Sequence, residues 1–215
     1  ITTYVAPIEI PTFEALEIPP APKQPAIPQA FVCRAYGSVV QDLIDGRIAD
    51  VRDRERIFRL LGEFKPDIVF HAAALKHVPI VEVNPCAGAM TNIIGTRIVS
   101  NAVCEYGARA MVQVSTDKAV NPIGLMGATK RVGELYCQAL DMCGVDDTKA
   151  PRFMTVRFGN VLGSSGSIVP LFERQLREGR PLTVTHPDIE RFFMTVREAV
   201  QLILQSSSSA LETET

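Results

Sequence analysis

A short apolar run that ends in a cluster of reactive side chains constrains this chain most strongly. Met111–Val114 is the kind of run that fills a buried strand of a parallel sheet. The four residues that follow it are Ser115, Thr116, Asp117 and Lys118. Because ligands of open α/β sheets bind beyond the carboxyl ends of the strands, we expect a functional site here. A Thr-Asp pair can also serve only as a helix cap, and lysines usually lie in solvent.

A helix is predicted to follow this segment, beginning near Leu125 and ending at Gly144. Met126 and Lys130 are four residues apart, so both side chains project from one face of that helix. The strand end and this helical face can therefore meet around one substrate. The helix is further supported by three apolar residues, namely Val132, Leu135 and Leu140.

Short apolar runs alternate with helical patterns from Asp50 onward. Strands are predicted at Ile68–Phe70, Met111–Ser115 and Phe153–Phe158. Because helical crossovers separate these strands, the sequence predicts an α/β fold with a doubly wound, parallel sheet of the Rossmann type and a small C-terminal substrate lobe.

The first two predicted helices have recognisable ends. Asp53 is suited to cap the first helix, while Asn84 as the cap and Pro85 as the first residue open a second helix that ends near Gly107. The polar tail over residues 206–215 is expected to fray. The apolar positions of the first helix are Ile57, Leu60, Leu61 and Phe64.

The composition limits the possible partners. With 47% hydrophobic residues and a net charge of −2, the chain can bury a sizeable core and gives no reason to expect nucleic-acid binding. The sequence contains neither a membrane-spanning run nor a signal peptide, so we expect a soluble, cytoplasmic protein. The cysteines form no C-x-x-C pair and the three histidines lie at no metal-ligand spacing, so we expect reduced thiols and no metal. These residues are Cys33, Cys86, Cys104, Cys137, Cys143, His71, His77 and His186.

Four strings in order resemble the signature of one protein family. They are HAAALKHVP at His71–Pro79, STDK at Ser115–Lys118, MGATK at Met126–Lys130 and RFGNVLGSSGS at Arg157–Ser167. Together they resemble the extended short-chain dehydrogenase/reductases, and specifically the CapD-like 4,6-dehydratases of bacterial polysaccharide biosynthesis, which act on UDP-N-acetylglucosamine. The resemblance covers roughly residues 48–205. It implies an NAD-dependent lyase with an NAD-binding domain over residues 31–158 and a substrate-binding portion over residues 159–215. Residues 1–30, which hold seven of the 15 prolines, are expected to form an arm or linker.

The resemblance assigns NAD contacts along the chain. Asp50 and Val51 resemble the pair that contacts the adenine, and Lys130 resembles the lysine that bonds the nicotinamide ribose. Small side chains after the strand Ile68–Phe70 would let the dinucleotide lie close to the backbone. For Asp50 and the three alanines, an ordinary helix cap and tight packing are the alternatives. Asn92 can bond either the backbone or an active-site water network. The predicted NAD contacts are Asp50, Val51, Ala72, Ala73, Ala74, Lys76, Asn92 and Lys130.

One expected part does not occur in the sequence. A dinucleotide-binding domain normally begins with a strand that leads into G-x-G-x-x-G, whose glycines let the backbone approach the pyrophosphate. Gly163–Gly166 is glycine-rich but has the wrong spacing. Three explanations stay open: the loop lies outside this sequence, the sequence is a piece of a longer protein, or the cofactor site has degenerated. We expect the first, because the later cofactor motifs are intact.

Met126 departs from the pattern of most family members, which carry Tyr four residues before the lysine as the proton acceptor for alcohol oxidation. A thioether does not usefully donate or accept a proton, so that mechanism cannot operate unchanged. The substitution resembles the membrane-associated branch of the CapD-like dehydratases. An anchor at the inner face of the membrane is therefore considered for the complete protein.

The implied reaction is an internal redox cycle on the hexose. NAD+ takes a hydride from C4, water then leaves from C5 and C6, and the hydride returns to C6. We assign Asp117 as the general acid for the departing C6 hydroxyl, with a shuttle of the C4 proton as a second role, and Lys118 as the base at C5. Thr116 would bond the C4 oxygen. The predicted catalytic residues are Thr116, Asp117, Lys118, Met126 and Lys130.

Substrate contacts are expected later in the chain. Asn160 would hold a sugar or phosphate oxygen, and the backbone N–H groups of Gly163–Ser167 would bind diphosphate at the start of a helix near Ile168, unless this glycine-rich stretch is only a flexible loop. Arg191 resembles a nucleotide-phosphate clamp. Arg157 is either a ligand contact or a member of a buried ion pair. The predicted substrate contacts are Lys76, Asn160, Gly163, Ser164, Ser165, Ser167 and Arg191.

Two other functions stay open. A nucleotide-sugar epimerase would share the NAD and UDP-sugar contacts but would need no acid for the C6 hydroxyl, and adjacent Asp117 and Lys118 favour dehydration. A noncatalytic nucleotide-sugar sensor is suggested by Met126 and by the missing glycine loop. Because extended members of the family commonly dimerise through paired helices, the resemblance implies a homo-oligomer, for which the helix from Leu125 is a candidate interface.

Overall fold

The computed structural model describes residues 29–33, 44–145, 147–164, 168–184, 186 and 190–212, so nearly all of the predicted arm lies outside the described residues. The strands are β1 (Gln29–Cys33), β2 (Ile44–Ile48), β3 (Ile68–His71), β4 (Ala110–Thr116), β5 (Arg152–Phe158), β6 (Asn160–Val161) and β7 (Phe193–Met194). The α-helices are α1 (Arg54–Phe64), α2 (Val78–Val83), α3 (Pro85–Ala89), α4 (Thr96–Tyr106), α5 (Leu125–Cys143), α6 (Ile168–Arg177) and α7 (Val196–Glu212). A π-helical segment, Met90–Gly95, joins α3 to α4, and a 3₁₀ turn, Asp117–Ala119, follows β4.

Three parallel strands carry the region of interest. Their order is β3-β4-β5, with Ile68 paired to Ala110 and Val114 paired to Val156. The crossovers between them contain α4 and α5, and α7 also contacts β4 and β5. This arrangement confirms the predicted α/β class with a parallel sheet. The carboxyl ends of all three strands consequently lie along one edge, where the predicted site residues begin.

Two further strand pairs were not predicted. Strands β1 and β2 pair antiparallel, with Gln29 opposite Ile48. Strands β6 and β7 form a short parallel pair, with Asn160 opposite Phe193. The second pair brings residues near 192 back to the chain that leaves β5, while the division into domains at residue 158 stays a prediction.

The core lies between the sheet and the helices α1 and α4. Leu60 and Leu61 of α1, Val99 and Val103 of α4 and Met111 of β4 are fully buried there. Full burial of such a side chain stabilises the fold by roughly 1.5–3 kcal/mol. By strand alternation Ala110 and Val112 point to the opposite face of β4, yet they too are completely buried.

The ends of α1 and α4 follow from local chemistry. Asp53 caps α1 as predicted, since its Oδ1 accepts a 3.0 Å hydrogen bond from the Arg56 amide. Helix α4 ends at Gly107, whose φ of 68° lies in the left-handed region that glycine adopts without strain.

The predicted helix from Asn84 to Gly107 is present but is not uniform. Its middle turn, Met90–Gly95, is π-helical, and a separate helix, α2, precedes it. Asn84 does not cap α3 with its side chain; instead its Nδ2 donates 2.9 Å back to the Ile80 carbonyl. Local π-helical turns are often found at functional sites.

Helix α5 has the predicted length, and its buried face is not apolar throughout. Val132 and Leu135, two of the apolar residues that supported the helix, are 43% and 47% exposed. The face that packs against the sheet is instead rich in small and polar residues, among them Thr129, Gly133 and Glu134.

The expected fraying of residues 206–215 is wrong for most of that stretch, because α7 continues to Glu212. The Ser206 hydroxyl donates to the Leu202 carbonyl and the Ser207 hydroxyl to the Leu204 carbonyl, so the serine-rich turn satisfies its polar groups within the helix.

Candidate functional site

The carboxyl end of β4 carries a hydrogen-bonded cluster of three side chains. Thr116 Oγ1 donates to Asp117 Oδ1 at 2.9 Å, and Lys118 Nζ donates to the same oxygen at 2.9 Å. Burial alone would raise the pKa of Asp117, but the hydrogen bonds from Lys118 and Thr116 lower it overall. Asp117 is therefore a carboxylate at neutral pH, so it can accept a proton before it can donate one.

Lys118 also reaches the next strand end. Its Nζ lies 3.4 Å from Asn160 Oδ1, at the start of β6. The Asn160 amide donates 2.8 Å to the Phe192 carbonyl, and a Cβ at Gly159 would lie only 2.5 Å from that oxygen. The structure thus brings Lys118 together with Asn160, a predicted substrate contact, in one half-buried place.

Lys130 lies beneath this cluster on α5. It is 5% exposed, and its Nζ donates 2.6 Å to the Val114 carbonyl of β4. Burial lowers the pKa of Lys130 to about 8, although the nearby Cys137 and Glu134 act in the opposite direction. Lys130 can therefore change its charge close to physiological pH.

Met126 is only 4% exposed, so its thioether does not offer an open surface to a substrate. The next residue, Gly127, packs tightly on the turn that carries the cluster, because a Cβ there would lie 2.2 Å from the Lys118 carbonyl oxygen. No other residue type fits at this position without moving that turn. The sequence motif MGATK thus contains a steric requirement as well as Lys130.

Asn92 joins the loop after β3 to α5. Its Oδ1 accepts 2.8 Å from the Leu75 amide, and its Nδ2 donates 3.0 Å to the Leu75 carbonyl and 2.9 Å to Thr129 Oγ1. The residue is fully buried within the π-helical segment. Of the two roles considered for Asn92, bonding to backbone is the one present in the structure, and a contact with NAD stays a prediction.

The other predicted NAD contacts have different surroundings. Asp50 accepts hydrogen bonds from Arg52, which lowers the pKa of the carboxyl group, and the Val51 side chain is completely buried against Gly95. Ala73 is buried, while Ala72 and Ala74 are half-buried and Lys76 is exposed. Small side chains thus follow β3 as expected, but adenine recognition by Asp50 and Val51 is not tested by these contacts.

Arg157 forms an ion pair with the buried Glu134, which is one of the two roles considered for it, while a ligand contact stays a prediction. Its Nε donates 2.9 Å to Glu134 Oε1, and Arg131 Nη1 donates 2.9 Å to Glu134 Oε2. Burial would raise the pKa of Glu134, but the hydrogen bonds from both arginines contribute to lowering it overall. This pairing fixes α5 to β5, directly beside the strand end with the cluster.

Sequence reasoning missed a buried polar layer between the sheet and the helices. His71 Nε2 lies 3.0 Å from Thr96 Oγ1, which itself donates 2.7 Å to the Asn92 carbonyl. Burial and the nearby Lys130 hold the pKa of His71 well below its usual range, so the ring is neutral. Gln113 is paired with His71 across the strands and is also fully buried. The signal available in the sequence was the alternation of polar with apolar residues toward the end of β4, which indicates a polar layer on one face of the strand.

The remaining predicted substrate contacts are not gathered into the cluster. Gly163 and Arg191 are exposed and Ser164 is half-buried, while Ser165 and Ser167 lie outside the described residues. Gly163 has a φ of 73°, which favours glycine in this turn.

In the part of the chain that the structure describes, no three His, Cys, Asp or Glu residues lie together as metal ligands. No helix within the described ranges is long and apolar enough to cross a bilayer.

The chain is similar to known proteins over most of its length. The family described as "Polysaccharide biosynthesis protein" matches residues 23–215. The chain is 49% identical over 163 residues to the capsular polysaccharide biosynthesis protein CapD of Staphylococcus aureus. The matched stretch covers 76% of this chain and 26% of CapD. It is 41% identical over 161 residues to the inverting UDP-N-acetylglucosamine 4,6-dehydratase of Campylobacter jejuni. This match covers 74% of this chain and 47% of that protein.

A solved structure shows the same fold. The UDP-glucose 4-epimerase of Thermus thermophilus in complex with NAD superimposes with a TM-score of 0.62 at 23% identity, over 71% of this chain and 57% of that chain. The chain therefore spans between about a quarter and three fifths of the length of these proteins. The likeness confirms the predicted Rossmann-type fold.

Proposed function

Because the chain belongs to the polysaccharide biosynthesis protein family, within the short-chain dehydrogenase/reductases, we propose that it carries the catalytic part of an NAD-dependent UDP-N-acetylglucosamine 4,6-dehydratase. The observation that supports this most is the cluster of Thr116, Asp117 and Lys118 with Asn160 beside it. Dehydration needs one group that exchanges a proton with hydroxyls and a second that acts at a carbon, and the cluster provides both types side by side. The 4,6-dehydratase of Campylobacter jejuni, at 41% identity, supports the same reaction.

The residues present fit an NAD molecule. Ala72 and Ala74 are small and half-buried directly after β3, which leaves the backbone approachable, and the ammonium of Lys130 reaches the Val114 carbonyl of the adjacent strand β4. Lys130 would hold the nicotinamide ribose, and Lys76 would contact a phosphate of the cofactor or substrate. When bound, NAD+ would accept the C4 hydride and later return it at C6, so the sugar loses water without net oxidation.

Asp117 would perform both proton transfers at oxygen. As a carboxylate it can take the proton of the C4 hydroxyl while the C4–H bond breaks. The same proton can then be given to the C6 hydroxyl, which leaves as water. Thr116 donates to Asp117 in the structure and would turn to the C4 oxygen when a substrate is present. This sequence keeps the proton count balanced and makes an additional acid unnecessary.

Lys118, in its neutral amine form, would remove the C5 proton as the C6 hydroxyl departs, and its ammonium would return a proton to C5 when the hydride reaches C6. Its Nζ lies between Asp117 and Asn160, so it is held at the place where a hexose bonded to Asn160 would lie. Because Met126 is buried and has no titrating group, the acid and base work must come from the strand end and not from the first turn of α5. Arg191 and the turn at Gly163 would bind the diphosphate.

The mass of the product tests this proposal. The full-length protein, loaded with NAD+, is incubated with UDP-N-acetylglucosamine and the nucleotide sugar is analysed by mass spectrometry. The proposal predicts a product lighter by one water. A product of unchanged mass with altered stereochemistry would indicate the epimerase, and an untouched substrate would indicate a noncatalytic binding protein, so either result contradicts the dehydratase.

A further inference from the structure

Glu82 of α2 caps a helix that is distant in the sequence. Its Oε1 accepts a 2.7 Å hydrogen bond from the amide of Leu125, the first residue of α5. The N-cap residue of α5 is Gly124, which has no side chain with which to cap the helix. A carboxylate is favoured at a helix N-terminus because the N–H groups there are free and the helix dipole is positive. The contact thereby ties α2 to the helix that carries Lys130.

The space at Gly124 is adapted to this contact. A Cβ there would lie 2.6 Å from Glu82 Oε1, and outside the adjoining backbone only this carboxylate group comes within 4 Å. The backbone of Gly124 is extended, with φ of −104° and ψ of 163°, as in ordinary N-cap residues. A serine at position 124 would therefore displace the Glu82 carboxylate from its observed position, and it fits as a local cap once that carboxylate is removed.

The chain between β3 and α2 is fixed on both sides of Lys76. Before it, Asn92 bonds both the amide and the carbonyl of Leu75. After it, Glu82 holds α2 against α5. Lys76 and His77 lie between these two attachments and are exposed. Two fixed ends restrict where the Lys76 ammonium can lie relative to the site beside α5.

We propose that Glu82 is a positioning residue, which by capping α5 holds Lys76 in the place where it binds a phosphate of the nucleotide sugar. This inference rests on the proposed function for its ligand. A contact with a phosphate that does not react is made equally in the ground state and the transition state, so its loss raises KM and leaves kcat nearly unchanged. If the cap served only the stability of α5, its loss would not raise KM while leaving kcat nearly unchanged.

Three variants of the full-length, NAD+-loaded protein separate positioning from stability. Glu82→Ala removes both the cap and the tie to α2, and we expect KM for UDP-N-acetylglucosamine to rise about tenfold with kcat within about twofold. Glu82→Gln keeps an acceptor oxygen and is expected to restore KM. The double variant Glu82→Ala with Gly124→Ser restores a cap for α5 without the tie, so its melting temperature should recover while KM stays high.

Recovery of KM together with the melting temperature in the double variant would overturn the proposal, as would an unchanged KM in Glu82→Ala. Amide hydrogen exchange gives a readout without turnover: residues 75–83 should exchange faster in Glu82→Ala and in the double variant, and unchanged exchange in these two would also overturn the positioning role. A wild-type protein that does not dehydrate the sugar contradicts the proposed function instead, and the exchange measurement still decides the role of Glu82.

Discussion

Lys118 and Asn160, which are 42 residues apart in the sequence, meet at a distance of 3.4 Å between Nζ and Oδ1. The same ammonium donates 2.9 Å to Asp117 Oδ1. Lys118 thereby links the end of β4 to the short pair of strands that follows β5. Under the proposed function the hexose would lie along this link, with its C4 to C6 side toward the carboxylate.

Replacement of Asp117 by Asn should abolish most of the proton transfer at oxygen. The amide is nearly isosteric and can still accept from Lys118 and Thr116, but it cannot carry the proton. We expect dehydration to fall by about 10²-fold or more with UDP-sugar binding retained. Single-turnover rates and the Kd for the nucleotide sugar measure the two effects.

Asp53→Asn is the matched control for this substitution. Asp53 caps α1 away from the cluster, and Asn is as good an N-cap as Asp. Its turnover should equal that of the wild type. Turnover of Asp117→Asn close to that of Asp53→Asn would remove Asp117 from the mechanism.

The activity should fall as the pH rises through the pKa of Lys130. Burial lowers that pKa to about 8, so the ammonium predominates below this pH and the neutral amine above it. If the ammonium is the form that holds the nicotinamide ribose, kcat/KM declines on the alkaline side. Lys130→Arg keeps its charge at high pH, so its profile should lose this decline even if its absolute rate is lower. An identical alkaline decline in both proteins would assign it to another group.

Gly127→Ala should disturb the site without unfolding the chain. The new Cβ would meet the Lys118 carbonyl at 2.2 Å, so the turn Asp117–Ala119 or the start of α5 must move. Because a displacement of about 1 Å can cost about 10²-fold in rate, we expect a large loss of kcat with the circular dichroism spectrum retained. Gly46→Ala is the control, since nothing lies within 4 Å of its new Cβ. Equal activity of the two variants would contradict the close packing inferred here.

The prediction of the fold from sequence succeeded where a local pattern determines the structure. The run Met111–Ser115 was expected as a strand and lies within β4, and the Asp53 cap depends only on residues three positions apart. The parallel order of β3, β4 and β5 follows from helical crossovers that the sequence displays.

The structure differs from the sequence-based prediction where contacts between residues that are distant in the sequence determine the local conformation. Nothing in the sequence near Leu125 shows that Glu82 will cap it, because the partners are separated by 43 positions. Similarly, Val132 and Leu135 have helical spacing, yet the sheet packs against the face with Gly133, whose missing side chain allows an approach to Gln113. Hydrophobic spacing alone therefore does not identify the face of α5 that packs against the sheet.

The candidate site was predicted only in part for the same reason. Thr116, Asp117 and Lys118 are adjacent in the chain, so their proximity needed no tertiary knowledge. Arg157 had two possible roles, and its ion pair depends on Glu134, which lies on α5, 23 positions away in the sequence. The π-helical turn at Asn92 could not be foreseen, because its sequence pattern does not differ from that of an ordinary helix.

Glu134→Gln should destabilise the fold, since it removes the charge that both arginines pair with. Glu134 is buried while Arg131 and Arg157 are partly exposed, so we expect a loss of roughly 2–4 kcal/mol in the free energy of unfolding. Glu173→Gln, which breaks an exposed pair with Arg177 on α6, should cost less than about 0.5 kcal/mol. Urea denaturation followed by circular dichroism compares the two, and equal losses would show that the pairing of α5 to β5 contributes little.

A crystal structure of the full-length protein with NAD+ and UDP-N-acetylglucosamine is the most direct test of the convergence on which the proposed mechanism depends. The account predicts that the hexose lies against the end of β4, with its C4 and C6 oxygens within hydrogen-bonding distance of Thr116 and Asp117 and with C5 facing the Lys118 amino group. A hexose bound elsewhere, with these three side chains still bonded only to one another, would contradict it.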